Sequence, residues 1–220
     1  FKRGELIKEH KEVGSSEQNG TQVIFIPDDS IFRNYYFISD YIDKQLWNYC
    51  YLNAGLIINY NGRKFVSKNG LLDLLHRNAN EDELRYPVIH LKGEDIEVAI
   101  SHNNEYGEDI YSFVNGQYTT QGGTHVVAFR EAFVKTIRDF FKKDYDTSDI
   151  RQSIVAAVAV RVQEPVFESQ TKTKLGSQYL FEGGPSMKNF MIDFFSKELD
   201  NFLHKNSAVA EAMKKRIEQS

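Results

Sequence analysis

Ile154-Val155-Ala156-Ala157-Val158-Ala159-Val160-Arg161-Val162 reads as a strand too apolar to lie at a surface. Pro165 stops it, and a polar run follows, Gln170-Thr171-Lys172-Thr173-Lys174-Leu175-Gly176. A buried strand that carries an amide and an ammonium to its end aims charge at something outside the chain. The target these residue types suit is a phosphate. A positioned Lys172 supplies a compact point charge to the oxygens of a phosphoryl group, and the Gln170 amide adds a neutral donor that reaches an oxygen or orients water. In a dry site such preorganised donors are worth roughly 3 kcal/mol each. The bland alternative is a solvated Lys/Thr loop between a strand and a helix, which composition alone favours.

Outward from that stretch the pattern is mixed. Glu5 to Lys11 reads as a strand, Gly14 to Gly20 as a polar loop, and Thr21 to Ile26 as a β-branched and aromatic strand ended by Pro27. Ile38, Tyr41, Ile42, Leu46, Tyr49 and Cys50 recur at helical spacing, with Ser39 or Asp40 as the expected cap and Gly55 past the end. Leu56 to Val66 turns on Asn61-Gly62, a hairpin signal. Leu71 to Leu75 predicts a short helix, and Arg77 to Arg85 a charged loop. Strands are expected near Val88–Leu91, Asp95–His102 and Ile110–Val114, the middle one alternating as in a sheet with one wet face. Asn115-Gly116 is a turn. A helix runs from the Gly122-Gly123-Thr124 region to about Lys143. A glycine pair at a helix start either binds an anion or lets backbone pass close to backbone; with no Gly-x-Gly-x-x-Gly pattern, close passage is the better reading. Gly183-Gly184-Pro185 precedes a helix whose Met and Phe stripe, Met187 to Leu203, is core, and Ser207 is the expected cap of a last helix carrying Val209, Met213 and Ile217. The order of elements fits α+β, with helices on one face of a mixed sheet.

With 220 residues, 41% hydrophobic and 26% charged, the chain suits a globular protein with a real core, and 16 Phe and 12 Tyr argue against disorder. A formal net charge of −4 lacks the bulk basic signature of a duplex-gripping domain. Cys50 is the only cysteine, which excludes a disulfide scaffold within the chain; flanked by tyrosines, it reads as a buried, inert thiol in a reducing cytoplasm. The longest apolar run falls far short of the ~20 residues of a spanning helix, so no membrane role is expected. Phe1-Lys2-Arg3-Gly4 opens without an initiator Met, as a start inside a longer protein would. The histidines show no metal-ligand spacing, and no metal site is expected in this chain. Glu105, Glu108 and Asp109 read as a solvated acidic patch.

Three motifs share an order. Ser169-Gln170-Thr171-Lys172-Thr173-Lys174-Leu175-Gly176 resembles the Gln-Thr-Lys loop of the ATP-hydrolysing B subunit of bacterial type II DNA topoisomerases, gyrase and topoisomerase IV. Gly122-Gly123-Thr124-His125, followed by Ala128-Phe129-Arg130, resembles that family's second fingerprint, and Gly20-Thr21-Gln22-Val23-Ile24-Phe25-Ile26-Pro27-Asp28 a third. The resemblance implies residues 1–68 as the C-terminal part of a GHKL-type ATP-binding α/β sandwich, and 69–220 as a two-layer α+β transducer domain like that of a small-subunit ribosomal protein. It also implies roles: Lys172 on the terminal phosphate of ATP, Gln170 beside it, and Thr21 near the adenine end. ATP and Mg2+ would be held mainly by segments outside this chain, which alone would neither bind ATP tightly nor hydrolyse it. The implied partners are DNA, the topoisomerase A subunit and a second copy of the ATPase region. The chain departs from the family pattern at Gln121, usually acidic, at Ala128, usually Gly, and at Gln152-Ser153, commonly Glu-Gly; its texture leans towards topoisomerase IV. A non-enzymatic scaffold domain of the same fold is the competing reading, and a small-molecule kinase, lacking a phosphate-cradling glycine loop, is the third.

Overall fold

A computed structural model describes residues 2, 4–9, 14 and 20–219, and contacts divide the chain into two compact units, Phe1–Ile38 and Ser39–Ser220. In the first unit the expected strand over Thr21–Ile26 does not form. Its residues carry no regular secondary structure and no strand pairing, and Ile24 and Ile26 are 82% and 91% exposed. The physical reason is plain: a strand is defined by its neighbour's hydrogen bonds, and no partner lies alongside among the described residues. The strand expected from Glu5 reduces to a single bridge between Lys2 and Glu5; residues 10 and 11 of that stretch, like most of the following loop, lie outside the described residues.

The second unit begins with helix α1 (Ser39–Leu52) and the hairpin β1 (Ile57–Tyr60) and β2 (Arg63–Val66). Asn61 and Gly62 take φ of 48° and 75°, the paired positive values a two-residue turn requires. Cys50 is fully buried and burial raises its thiol pKa, as an inert core cysteine should behave. Helix α2 (Leu71–Asn78) follows, then β3 (Ile89–Lys92), β4 (Ile96–His102), β5 (Glu108–Val114) and β6 (Gln117–Tyr118). Helices α3 (Thr124–Phe141) and α4 (Thr147–Arg151) lead into β7 (Ile154–Val160), and α5 (Met187–Lys205) and α6 (Ser207–Glu218) close the unit. The N-cap position of α6 is Asn206 rather than Ser207, and the Asn206 amide donates back to Phe202 O at 2.8 Å.

Strands β3 to β7 form one mixed sheet in the order β3-β4-β7-β5-β6, with β7 antiparallel to β4 and parallel to β5. The even residues of β7, Ile154, Ala156, Val158 and Val160, enter a core with Phe129 and Phe133 of α3 and Met191 and Phe195 of α5. Its odd residues Val155 and Ala157 enter a second core with Tyr51 of α1 and Leu71, Leu74 and Leu75 of α2. Helices therefore stand on both faces of the sheet, not on one. An uninterrupted apolar strand requires this, because an alternating one would leave its second face wet. The expected wet face of β4 is covered for the same reason: half-buried Glu97 turns inward and accepts a hydrogen bond from the Leu71 amide at 3.1 Å, completing the start of α2. The Met and Phe stripe of α5 packs inward as its spacing predicts.

Candidate functional site

Past β7 the chain doubles back on itself between Val166 and Gly176. The Gly176 amide donates to Val166 O at 2.8 Å and the Glu168 amide to Lys174 O at 3.0 Å, and the Lys172 amide closes the tip onto Ser169 O at 3.0 Å. The Ser169 and Thr171 hydroxyls meet at 2.8 Å, and Lys172 takes a left-handed φ of 55°. The base of this loop is stitched to the glycine pair that precedes α3. Gln121 N donates to Thr173 O at 2.9 Å, Leu175 N to Gly122 O at 3.0 Å, and Thr124 N to Leu175 O at 3.1 Å. The Thr124 hydroxyl donates to Ser177 O at 2.6 Å, and the Leu175 side chain is buried beneath.

Gly123 explains why the pair is glycine. A Cβ there would stand 2.4 Å from Leu175 O and 2.5 Å from Leu175 N, and its φ of 132° suits no L side chain. Backbone passes backbone, which is the close-passage reading of the sequence. Just inside α3, His125 is fully buried with Nε2 3.1 Å from the Thr119 hydroxyl. Burial pulls its pKa down to about 4, so the ring is neutral at physiological pH.

The two lysines of the loop differ. Lys174 pairs with Glu168 at 3.0 Å, whereas Lys172 has no carboxylate within ion-pair reach among the described residues; its ammonium lies 5.9 Å from the centre of the Phe167 ring. Gln170 is exposed on the same tip, and its side chain makes no hydrogen bond among the described residues. Thr21 is exposed in the first unit, outside any strand. Among the described residues no three His, Cys, Asp or Glu side chains come together as a metal site.

Glu108 is not part of a solvated patch. It opens β5 and holds Arg130 of α3 at 2.7 Å and, on its other oxygen, Arg151 of α4. Burial raises its carboxyl pKa, but the two guanidinium groups outweigh that and leave it below the usual glutamate range. Sequence spacing gave no sign of this, since the partners lie 22 and 43 residues away. Ser153, just before β7, has φ of 66°, a left-handed value that costs an L residue strain and that glycine takes freely.

Residues 60–220 match the family model described as DNA gyrase B. The chain belongs to the DNA gyrase B family. It is 48% identical over 177 residues to the B subunit of DNA topoisomerase 4 from Borreliella burgdorferi, covering 80% of this chain and 29% of that protein. To the type 2 topoisomerase B subunit of Aquifex aeolicus it is 32% identical over 221 residues, 91% of this chain and 28% of that one. This gyrase B family chain thus spans less than a third of the length of either relative. The 43K ATPase domain of Thermus thermophilus gyrase B, solved with an aminocoumarin, superposes with a TM-score of 0.68 at 24% identity, over 88% of this chain and 56% of that one, and supports the mixed α+β fold. No helix among the described residues is long and apolar enough to cross a membrane.

Proposed function

We propose that this chain is part of the ATP-hydrolysing B subunit of a type II DNA topoisomerase, of the topoisomerase IV kind, and that its Gln-Thr-Lys loop senses the terminal phosphate of ATP. Residues 1–68 belong to the end of the ATP-binding domain and 69–220 to the transducer. One observation carries the reading: Lys172 and Gln170 stand on one exposed turn, the lysine without a carboxylate partner among the described residues, on a loop whose base is hydrogen-bonded to the Gly122-Gly123-Thr124 backbone. A cation so placed gains an oxyanion without first losing an ion pair.

Lys172 binds the γ-phosphate and offsets charge there as the phosphoryl bond breaks, and Gln170 donates to a neighbouring oxygen or orients the attacking water. Thr21 lies near the adenine end. The general base, the Mg2+ ligands and most of the nucleotide pocket belong to other segments of the enzyme. While the γ-phosphate is present the contact favours the closed arrangement, and its loss removes the preference. DNA, the A subunit and a second copy of the ATPase region are the partners on which this switch acts.

In the complete enzyme, Lys172→Ala is expected to lower ATP turnover and ATP-dependent strand passage by about 10² or more. Lys174→Ala, which removes an ammonium already answered by Glu168, is expected to change turnover only a few-fold, within the small worth of an exposed pair. Full activity in Lys172→Ala would transfer support to the scaffold reading.

A further inference from the structure

A cleft of about 470 Å³ opens between α1, α2 and the β5–β6 hairpin, within the size range of roughly 300–1,000 Å³ that small-molecule sites occupy. None of its residues is used by the nucleotide loop. Its walls are aromatic: Trp47, the only tryptophan of the chain, stacks on Tyr51 with ring centres 5.5 Å apart, and Tyr111 and Tyr118 face in from the sheet. Two cations stand on those rings. The Arg77 guanidinium lies 4.3 Å from the Trp47 ring centre and the Lys44 ammonium 5.5 Å from that of Tyr118.

The charged residues of the lining are two carboxylates, Asp40 and Asp43, and two cations, Lys44 and Arg77. Arg63 answers one oxygen of Asp43, the other being buried without a hydrogen-bond partner among the described residues, and Asp40 sits in the first turn of α1, where the helix dipole favours a carboxylate. Neither Lys44 nor Arg77 has a carboxylate within ion-pair reach among the described residues. Asn48 lines the wall, and its amide makes no hydrogen bond among the described residues. The Asn48 amide offers both a donor and an acceptor to whatever occupies the cleft.

We propose that this cleft binds a nucleoside monophosphate, with the base stacked on the aromatic and guanidinium faces, its edge paired to the Asn48 amide and its phosphate against Lys44. Flat rings with an interleaved guanidinium suit a base of any sequence, an asparagine amide suits a base edge, and a lone ammonium suits a phosphate. The site is separate from the Gln-Thr-Lys loop and does not depend on the function proposed for it.

Titration of the 220-residue chain with adenosine 5′-monophosphate, exciting Trp47 at a wavelength the nucleotide does not absorb, is expected to change its emission saturably. Ribose 5-phosphate, which lacks the base, is expected to bind at least tenfold more weakly. Lys44→Ala, at an exposed helix position, is expected to weaken binding of the nucleotide by about tenfold, the usual worth of a charge-assisted hydrogen bond. Lys172→Ala is expected to leave it unchanged. No saturable change in the unsubstituted chain, equal binding of ribose 5-phosphate, or loss of binding in Lys172→Ala instead of Lys44→Ala would each overturn the proposal. Asn48→Ala, read by the same titration after circular dichroism has shown the fold intact, is expected to reduce adenine over uracil preference; an unchanged preference would remove the base-edge contact.

Discussion

Two stretches of this chain are comparably suited to be strands, and only one is a strand. Ile154–Val160 has a seven-residue register with β4 on one side and with β5 on the other, and Ala156 and Val158 are wholly buried. Thr21–Ile26, as rich in β-branched and aromatic residues, lies unpaired with Val23 77% exposed. The difference is not propensity. An extended backbone is stabilised by what lies beside it, and the same side chains that build a core when flanked stand in water when they are not.

Acid is expected to narrow that contrast most. His102 at the end of β4 is fully buried, accepts from the Tyr86 hydroxyl through Nδ1 and donates from Nε2 to Ile150 O at 2.9 Å. Burial, with the nearby Arg216 charge, draws its pKa from 6.5 to about 4, as burial does for His125. Both folded values lie below the unfolded one, so the unfolded chain takes up protons first. The stability these rings contribute is complete above about pH 6.5 and is lost as pH falls towards about 4, by about 3 kcal/mol for each histidine. Urea midpoints measured across that window should fall steeply for the second unit; a flat profile would mean that the rings are not sealed.

A substitution pair tests the comparison directly. Val158→Asp places a charge between β4, β5 and α3 and is expected to cost about 4 kcal/mol or more, whereas Ile24→Asp should stay within about 0.5 kcal/mol. Denaturant unfolding of the two variants that gave equal losses would show Ile24 to be packed after all. A smaller effect sharpens the picture at the loop: Gly123→Ala forces Leu175 away and is expected to cost about 2 kcal/mol, with faster hydrogen exchange at the Leu175 and Thr124 amides.

What could be read from the chain beforehand followed local rules. The Asn61-Gly62 and Asn115-Gly116 turns have the positive φ pairs their residues favour, and the apolar run of β7 and the Met and Phe face of α5 are buried as their patterns require. The glycine pair before α3 was legible as a close passage, though not that Leu175 is what passes. The rest depended on distant neighbours. Glu97 looked like the wet side of a strand until α2 covered it, and Glu108 looked solvated until two arginines reached it from other helices. Trp47 and Asn48 lie on α1 without any motif, and only the fold sets Arg77 and Tyr118 opposite them. The unpaired state of Lys172 could not be inferred either, since its neighbour Lys174 is the one that Glu168 takes.

Strand order also governs how the polypeptide assembles as it is made. β3 and β4 form one hairpin and β5 and β6 another, and the two share no edge until β7, last of the five in sequence, slides between them. Until residue 160 has left the ribosome, each hairpin carries an open edge towards the vacant middle of the sheet, so the nascent chain passes through an interval in which pairing with a stranger competes with waiting for its own central strand.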